Sequence, residues 1–363
     1  MDSNDELDRT RAHGKQALNQ EFNDYEQVRK DQSYRLAQSN EPGESEEFDR
    51  EFVIPTCDMQ PFFQGGESGR AQFAEELGRA LESIGFAILV GHGIEPEHYA
   101  RMERKIFEFF RGASEGERLP FIAGRHGSVN QGYFPIKTTS NIHPDLVEGW
   151  VFCRRAFNML ADPQHGAERF WPKPGFEPIF RQHALRHERL FLPIMQSVLC
   201  YLGVDASAYD KKLTETNFGL RLNYYPALEE SQDCGAGRML GHEDVDLFTL
   251  LPAPTVDGLQ VLNRANMKWV ELSAPPGSLI LNVGDYLQRI SNDRLPSTTH
   301  RVARPEGAAK VARVSLPMAV YVWEQEILEV LPGLGKAHYE PISALEFHTR
   351  ITSKYYGDDY AVS

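Results

Sequence analysis

Two different periods of apolar and polar residues divide this chain. Between residues 68 and 112 apolar side chains recur every three to four positions. Phe73, Leu77, Ala80, Leu81 and Ile84 predict one helix face over 68–84. Tyr99, Met102, Ile106, Phe109 and Phe110 predict a second helix, opened by Pro96 at its first turn and ended at Gly112. The run FAILV between them reads as a buried strand, and FVIPTCDM before them as a short apolar strand. A polar, loop-rich stretch follows from 113 to about 174, where GRHGSVNQGYFPIK carries too much glycine and charge for a regular element. A long helix is expected over about 176–202, bent by Pro193 inside it.

From residue 217 the period falls to two. LRLNYY, DLFTLL, LQVL, KWVEL, SLILNV, THRVA and ARVSLPMAVYVW are short runs rich in β-branched and aromatic residues, separated by Gly, Pro and Asn turns. Such spacing predicts a sandwich or jelly roll. The fold class is therefore mainly β with flanking α-helices, the helices coming largely from the N-terminal half and one more from about 342–355. The expected organisation is a polar extension over 1–50, a helical region over 51–205 packing on the core, and a β core with its C-terminal helix over 206–363. Within the extension, Leu18, Phe22 and Tyr25 have the spacing of a short helix.

Composition changes the picture mainly by exclusion. Of 363 residues 41% are hydrophobic and 25% charged, ordinary values for a globular protein with a real core. The net charge of −14 argues against a nucleic-acid backbone or an anionic membrane as partner, but not against a small anion held by local Arg or Lys. Cys57, Cys153, Cys200 and Cys234 form no CxxC pair and are too sparse for a disulfide framework. With no apolar leader and no apolar run of about 20 residues, a cytoplasmic protein is expected.

The chemistry concentrates in Gly241-His242-Glu243-Asp244-Val245-Asp246. On a strand, positions i and i+2 share a face, so His242 and Asp244 would offer an imidazole nitrogen and a carboxylate oxygen to one point. A histidine from another strand, His300 in STTHRV, would complete a two-histidine, one-carboxylate face of the non-haem Fe(II) type. The bare H-x-D pattern is weak: His143-Pro144-Asp145 fits it and His338-Tyr339-Glu340 nearly does, yet neither opens a strand with a suitable third ligand. Thirteen residues after His300, Arg313 and Ser315 form another i, i+2 pair, and a guanidinium beside a hydroxyl suits a carboxylate. Asn223 and Tyr225 share one face of an earlier strand and could hydrogen-bond the same acid.

Taken in order, IPTCDM, SIGFAILVGHGI, DLVEGWVFC, RLNYYP, HEDVDLFTLL, DGLQVL with KWVEL, and PPGSLILNVGDYLQRISNDRLPSTTHRV resemble the isopenicillin N synthase-like family of Fe(II)/2-oxoglutarate-dependent dioxygenases over about 52–355. The resemblance implies a double-stranded β-helix (jelly roll) core, with Fe(II) on His242, Asp244 and His300, 2-oxoglutarate held by Arg313, Ser315 and Tyr225 with Asn223 close by, and O2 as oxidant. It implies oxidation of a small organic molecule by hydroxylation, desaturation or cyclisation, with succinate and CO2 released. A 2-oxoglutarate-independent oxidase of the isopenicillin N synthase type, and a non-catalytic metal-binding jelly roll, are the alternatives.

Two features depart from the family pattern or stay open. Glu243 stands where the family commonly has Thr or Ser, and is expected to point away from the metal. Asp246 stands where a small residue is common; it is read as a solvated strand-end carboxylate, or else as an acceptor behind the ligands or a contact for a cationic substrate group. Arg125, His126, Asn130, Gln131 and Tyr133 fall in a loop that often borders the substrate pocket in this family, against the plainer reading of surface residues. His92 is expected to be structural, and Glu148 and Trp150 to pack between helices and β core.

Overall fold

The computed structural model describes residues 47–126, 129–136, 147–157, 175–227, 239–303 and 311–356. The expected Leu18–Tyr25 helix, His143 and Cys234 lie outside these residues, and residues 48–363 cluster as one unit.

Sixteen strands are described: β1 (Thr56–Asp58), β2 (Phe86–Val90), β3 (Gly124–His126), β4 (Val129–Phe134), β5 (Glu148–Cys153), β6 (Phe218–Tyr225), β7 (Met239–His242), β8 (Phe248–Pro252), β9 (Leu259–Asn263), β10 (Lys268–Glu271), β11 (Leu279–Val283), β12 (His300–Val302), β13 (Arg313–Ser315), β14 (Met318–Val320), β15 (Ile327–Leu328) and β16 (Ile342–Ser343). The large sheet runs β1-β2-β11-β8-β14-β6-β5-β4-β3, with β13 also paired to β6; a second sheet runs β10-β9-β12-β7. Ile84, Phe86, Ile88 and Ile280 on one side meet Leu259, Val261, Val270 and Leu272 on the other, closing an apolar core between the sheets. Two facing sheets closed on one core are the jelly-roll arrangement expected from the strand spacing.

Register shows which side chains face the interior. In the antiparallel pair β5–β6, Trp150 stands opposite Leu222 and Glu148 opposite Tyr224, while Gly149 stands opposite Asn223 and Val151 opposite Arg221. The first set faces the Pro96–Arg111 helix: Phe109 meets Trp150 edge-on at 4.8 Å between ring centroids, and Phe110 stacks on Tyr224 at 5.4 Å. The second set therefore faces inward, and β13 adds Arg313 opposite Tyr225 and Ser315 opposite Asn223 on that same face.

The predicted helices form as Gly66–Ile84, Pro96–Arg111 and Phe176–Tyr201, the last continuing past Pro193 as one element, and a C-terminal helix covers Ala344–Tyr356. Two expectations need correction. The stretch read as irregular contains β3, β4 and β5, because the glycines there sit within strands that pair with neighbours. The segment between SLILNV and THRVA, expected as a turn, instead contains a short helix, Asp285–Ile290, in which all six residues are buried.

His92 and Glu148 take the structural places foreseen. His92 Nε2 lies 3.0 Å from the Gly277 carbonyl, and its Nδ1 accepts from the Ile94 N–H. Glu148 accepts from Tyr133 Oη at 2.6 Å and from Arg118 Nη2 at 3.0 Å, pinning the sheet to the short helix Glu115–Arg118. Burial raises the Glu148 carboxyl above its usual range, and Tyr133 and Arg118 offset part of that rise.

Candidate metal centre

His242 ends β7 and His300 opens β12, and the two are direct cross-strand partners. Opposed residues of an antiparallel pair have their Cβ atoms about 4.5–5.5 Å apart, so both imidazoles lean over one spot. Their ring centroids are 4.3 Å apart. Asp244 Oδ1 lies 3.6 Å from His242 Nε2 and 3.9 Å from His300 Nε2. One ligand atom from each of the three lies within 4.8 Å of the others.

The sequence argument for Asp244 needs revision. β7 ends at His242, so Asp244 reaches this spot from the loop and not from an i, i+2 position on a strand. That loop is held by the N-terminus of the Asp285–Ile290 helix, whose first N–H groups have no partner within their own helix. Asp285 N donates to the Asp244 carbonyl at 2.8 Å, Tyr286 N to Asp246 at 2.9 Å, and Gly284 N to Leu247 at 3.0 Å. Gly284 permits this close approach, since a Cβ there would meet the Asp246 carbonyl oxygen at 2.4 Å and its Oδ1 at 2.0 Å.

Hydrogen bonds then orient the ligand atoms. The Thr298 carbonyl lies 3.2 Å from His300 Nδ1, which places the ring proton on Nδ1 and leaves the Nε2 lone pair facing the cluster. Asp244 Oδ2 accepts from Thr249 Oγ1 at 2.7 Å and from Asn282 Nδ2 at 2.9 Å, turning Oδ1 toward the histidines. Burial alone would raise the Asp244 pKa, but His300, His242 and these two donors outweigh it and hold the carboxyl below its ordinary value. A deprotonated carboxylate and imidazole lone pairs within reach of one point are a donor set for a divalent first-row metal.

Asp246 is fully buried, so it is not the solvated strand-end carboxylate. Thr249 Oγ1 also lies 2.7 Å from Asp246 Oδ2, yet a hydroxyl has one proton for two carboxylates. Both contacts are hydrogen bonds if Asp246 is the protonated partner and donates to Thr249. Burial, then the Asp244 charge, pushes Asp246 far above the usual carboxylate range, in agreement. Neither Thr249 nor Asn282 stood out in the sequence; the parity of Thr249 on an inward strand position was the available signal.

On the inward face of β6 and β13, Asn223 Nδ2 donates to Ser315 Oγ at 3.2 Å. Arg313 is 1% exposed and its guanidinium lies 4.9 Å from the Tyr225 ring centroid. Its Nε donates to the Val256 carbonyl, while Nη1 is buried with no hydrogen-bond partner, as is Asn223 Oδ1. A buried cation with an unsatisfied N–H fits a bound carboxylate, because leaving it unpaired is costly.

Two of the other candidates have polar groups engaged elsewhere. Tyr133 is buried on the helix side of the sheet with its hydroxyl committed to Glu148, and Gln131, also buried, accepts from the Cys153 N–H. Arg125, His126 and Asn130 lie in β3 and β4, their side chains outside the description. Of the two decoys, His338 pairs with Asp293 at 2.9 Å, away from the cluster. Glu243 accepts from Thr299 Oγ1.

Two family models match the chain: the 2OG-Fe(II) oxygenase superfamily over residues 216–320, and the non-haem dioxygenase in morphine synthesis N-terminal family over residues 54–174. A 2-oxoglutarate-Fe(II) type oxidoreductase of Metarhizium majus is 27% identical over 331 residues, covering 82% of this chain and 86% of that protein. Among solved structures, a full-length Neurospora crassa protein in complex with alpha-KG and thymine superposes with a TM-score of 0.75 at 23% identity, covering 86% of this chain and 100% of that one. A 2OG-Fe(II) oxygenase family protein from Caulobacter crescentus gives a TM-score of 0.71 at 25% identity, covering 83% and 99%.

Proposed function

This chain is a 2-oxoglutarate-dependent dioxygenase of the 2OG-Fe(II) oxygenase superfamily, and on that premise we propose that His242, Asp244 and His300 hold its Fe(II) and that Arg313, Ser315, Tyr225 and Asn223 hold its 2-oxoglutarate. The observation that carries the assignment is the pairing of two features: a three-ligand cluster, and a buried guanidinium with an unsatisfied N–H on the inward face. When bound, iron with 2-oxoglutarate and O2 supplies an oxidant for a C–H bond, at the cost of decarboxylating the oxo acid to succinate.

The protein's part is positioning. His300 presents Nε2 because Thr298 holds its other nitrogen, and Asp244 presents Oδ1 because Thr249 and Asn282 hold Oδ2. Arg313 and the Asn223–Ser315 pair would fix the far carboxylate of the co-substrate, so that its oxo-acid end can reach the metal. The Tyr225 ring covers the guanidinium and shields that contact from water. We take the oxidised substrate to be a small organic molecule. No helix among the described residues is long and apolar enough to cross a membrane.

An anaerobic titration with Fe(II) and 2-oxoglutarate, followed by succinate release on admitting O2, tests the reading. Arg313→Met is expected to weaken 2-oxoglutarate binding about ten- to hundredfold, the scale of a lost charge-assisted pair, while iron binding persists. Unchanged 2-oxoglutarate affinity in that variant would remove Arg313 from the clamp.

A further inference from the structure

One cation on the inward face is not used by the metal or by the co-substrate clamp. Arg221 lies on β6 between two anchored points. Gly219 is aligned through Ala319 of β14 with Thr249, which holds Asp244; Asn223 and Tyr225 are aligned with Ser315 and Arg313. Along an extended strand Arg221 stands about 7 Å from Asn223 on the same face. Its position opposite Val151 places it inward, away from the aromatic layer formed by Trp150 and Tyr224.

Among the described residues Arg221 has no ion-pair partner. The residue is half-buried, and its Nε is buried with no hydrogen-bond partner. The guanidinium carbon lies 5.5 Å from the Phe134 ring centroid. Gly149 makes the space: a Cβ there would stand 3.2 Å from Arg221 Nε and 3.4 Å from Asn223 Oδ1. An aromatic wall, a side-chain-free floor and a fork of N–H donors together fit a planar acid.

We propose that Arg221 binds a carboxylate of the primary substrate, making this enzyme an oxygenase of small organic acids. The inference rests on the assignment of Arg313, Ser315, Tyr225 and Asn223 to 2-oxoglutarate, which leaves Arg221 for the second ligand. Substrate carboxylate on Arg221 and co-substrate on Arg313 would lie side by side on the inward face, and the first would fix which carbon faces the metal.

The test uses the full chain loaded anaerobically with Fe(II) and 2-oxoglutarate, whose chelate absorbs in the visible. The probes are a panel of aromatic and aliphatic carboxylic acids, each beside its own methyl ester. At least one acid is expected to perturb the absorption at a concentration about a hundredfold below its ester, because the ester cannot take the paired charge. Arg221→Met should still form the absorbing chelate but lose the response to that acid about a hundredfold, and Arg221→Lys should recover part of it, keeping charge without the fork. Esters acting as well as acids, no acid acting at all, or an unchanged response in Arg221→Met would each overturn the proposal. A chelate that never forms in the unmodified protein would instead overturn the co-substrate assignment, and this inference with it.

Discussion

Asp244→Ala should abolish iron binding and succinate formation together. The carboxylate is the one anionic donor in the cluster, and the two imidazoles left behind offer neutral nitrogens to a divalent cation. The substitution also strands the Thr249 hydroxyl and the Asn282 amide, which both donate to Asp244 Oδ2. Loss of a partner that only orients a ligand typically costs ten- to hundredfold in affinity, so loss of the ligand itself should exceed about a thousandfold. Metal content after dialysis and succinate release per chain are the two readings. The decoy His338, paired with Asp293 on the surface, is the control, and His338→Ala should leave both readings unchanged. Iron retained at one equivalent with turnover in Asp244→Ala would show that the ligands lie elsewhere.

What was legible in the sequence followed from residue type and parity. His242 and His300 could be paired on paper, and the structure makes them cross-strand neighbours. Arg313, Ser315, Asn223 and Tyr225 share one face because strand parity is fixed by pleating. Asp244 was chosen by a strand argument that fails at His242, where β7 ends; a helix N-terminus carries its loop instead. That helix was missed because every residue of Asp285–Ile290 is buried, leaving no polar face and so no period to see. The strand Glu148–Cys153 hid for the same reason, being buried on both faces, so that its apolar and polar positions do not alternate with exposure. Asp246 looked solvated because its carboxyl is charged in water; only the three-dimensional environment shows an aspartic acid under Gly284, hydrogen-bonded to Thr249. Arg221 heads the RLNYYP run but has no role there by itself, and its meaning depends on Gly149 from a different strand.

Lowering the pH from 7 to 5 should destabilise the metal-free protein, chiefly through three buried histidines remote in sequence from the candidate metal ligands. His98, on the Pro96–Arg111 helix, meets His183 of the Phe176–Tyr201 helix, Nε2 to Nδ1 at 3.0 Å. Arg101 donates to His98 Nδ1, so the His98 proton sits on Nε2 and is given to His183; His187 donates Nδ1–H to the His183 carbonyl. Each ring is thus neutral, and protonating His98 or His183 would set one N–H against another. Burial, then Arg186 and Arg101, pushes His98 down to about 4; burial, then His98 and His92, pushes His187 down to about 3 against a partial rise from the His183 carbonyl. His183 is lowered well below its ordinary value, by burial and then by His187, His98 and Arg186. A histidine whose folded pKa is depressed gains protons on unfolding, so its contribution is complete above the unfolded value of about 6.5 and is lost as pH falls from there toward the folded value. Between pH 7 and 5, His98 and His187 each cost about 2 kcal/mol, and His183 adds to the loss in the same sense. Asp246 acts in the opposite sense: raised far above its unfolded value, it holds a proton in the fold that the unfolded chain gives up, and returns part of that loss over the same range. Asp244, with its lowered pKa, loses its contribution only below the ordinary carboxylate range and does not enter this window. Urea unfolding at pH 7 and pH 5, with chelator present, reads the difference. The double variant His183→Gln, His187→Gln should flatten the slope, since two of the three proton uptakes are gone. Stability that stays level in the unmodified protein across this range would mean that the three rings are not held neutral between the helices.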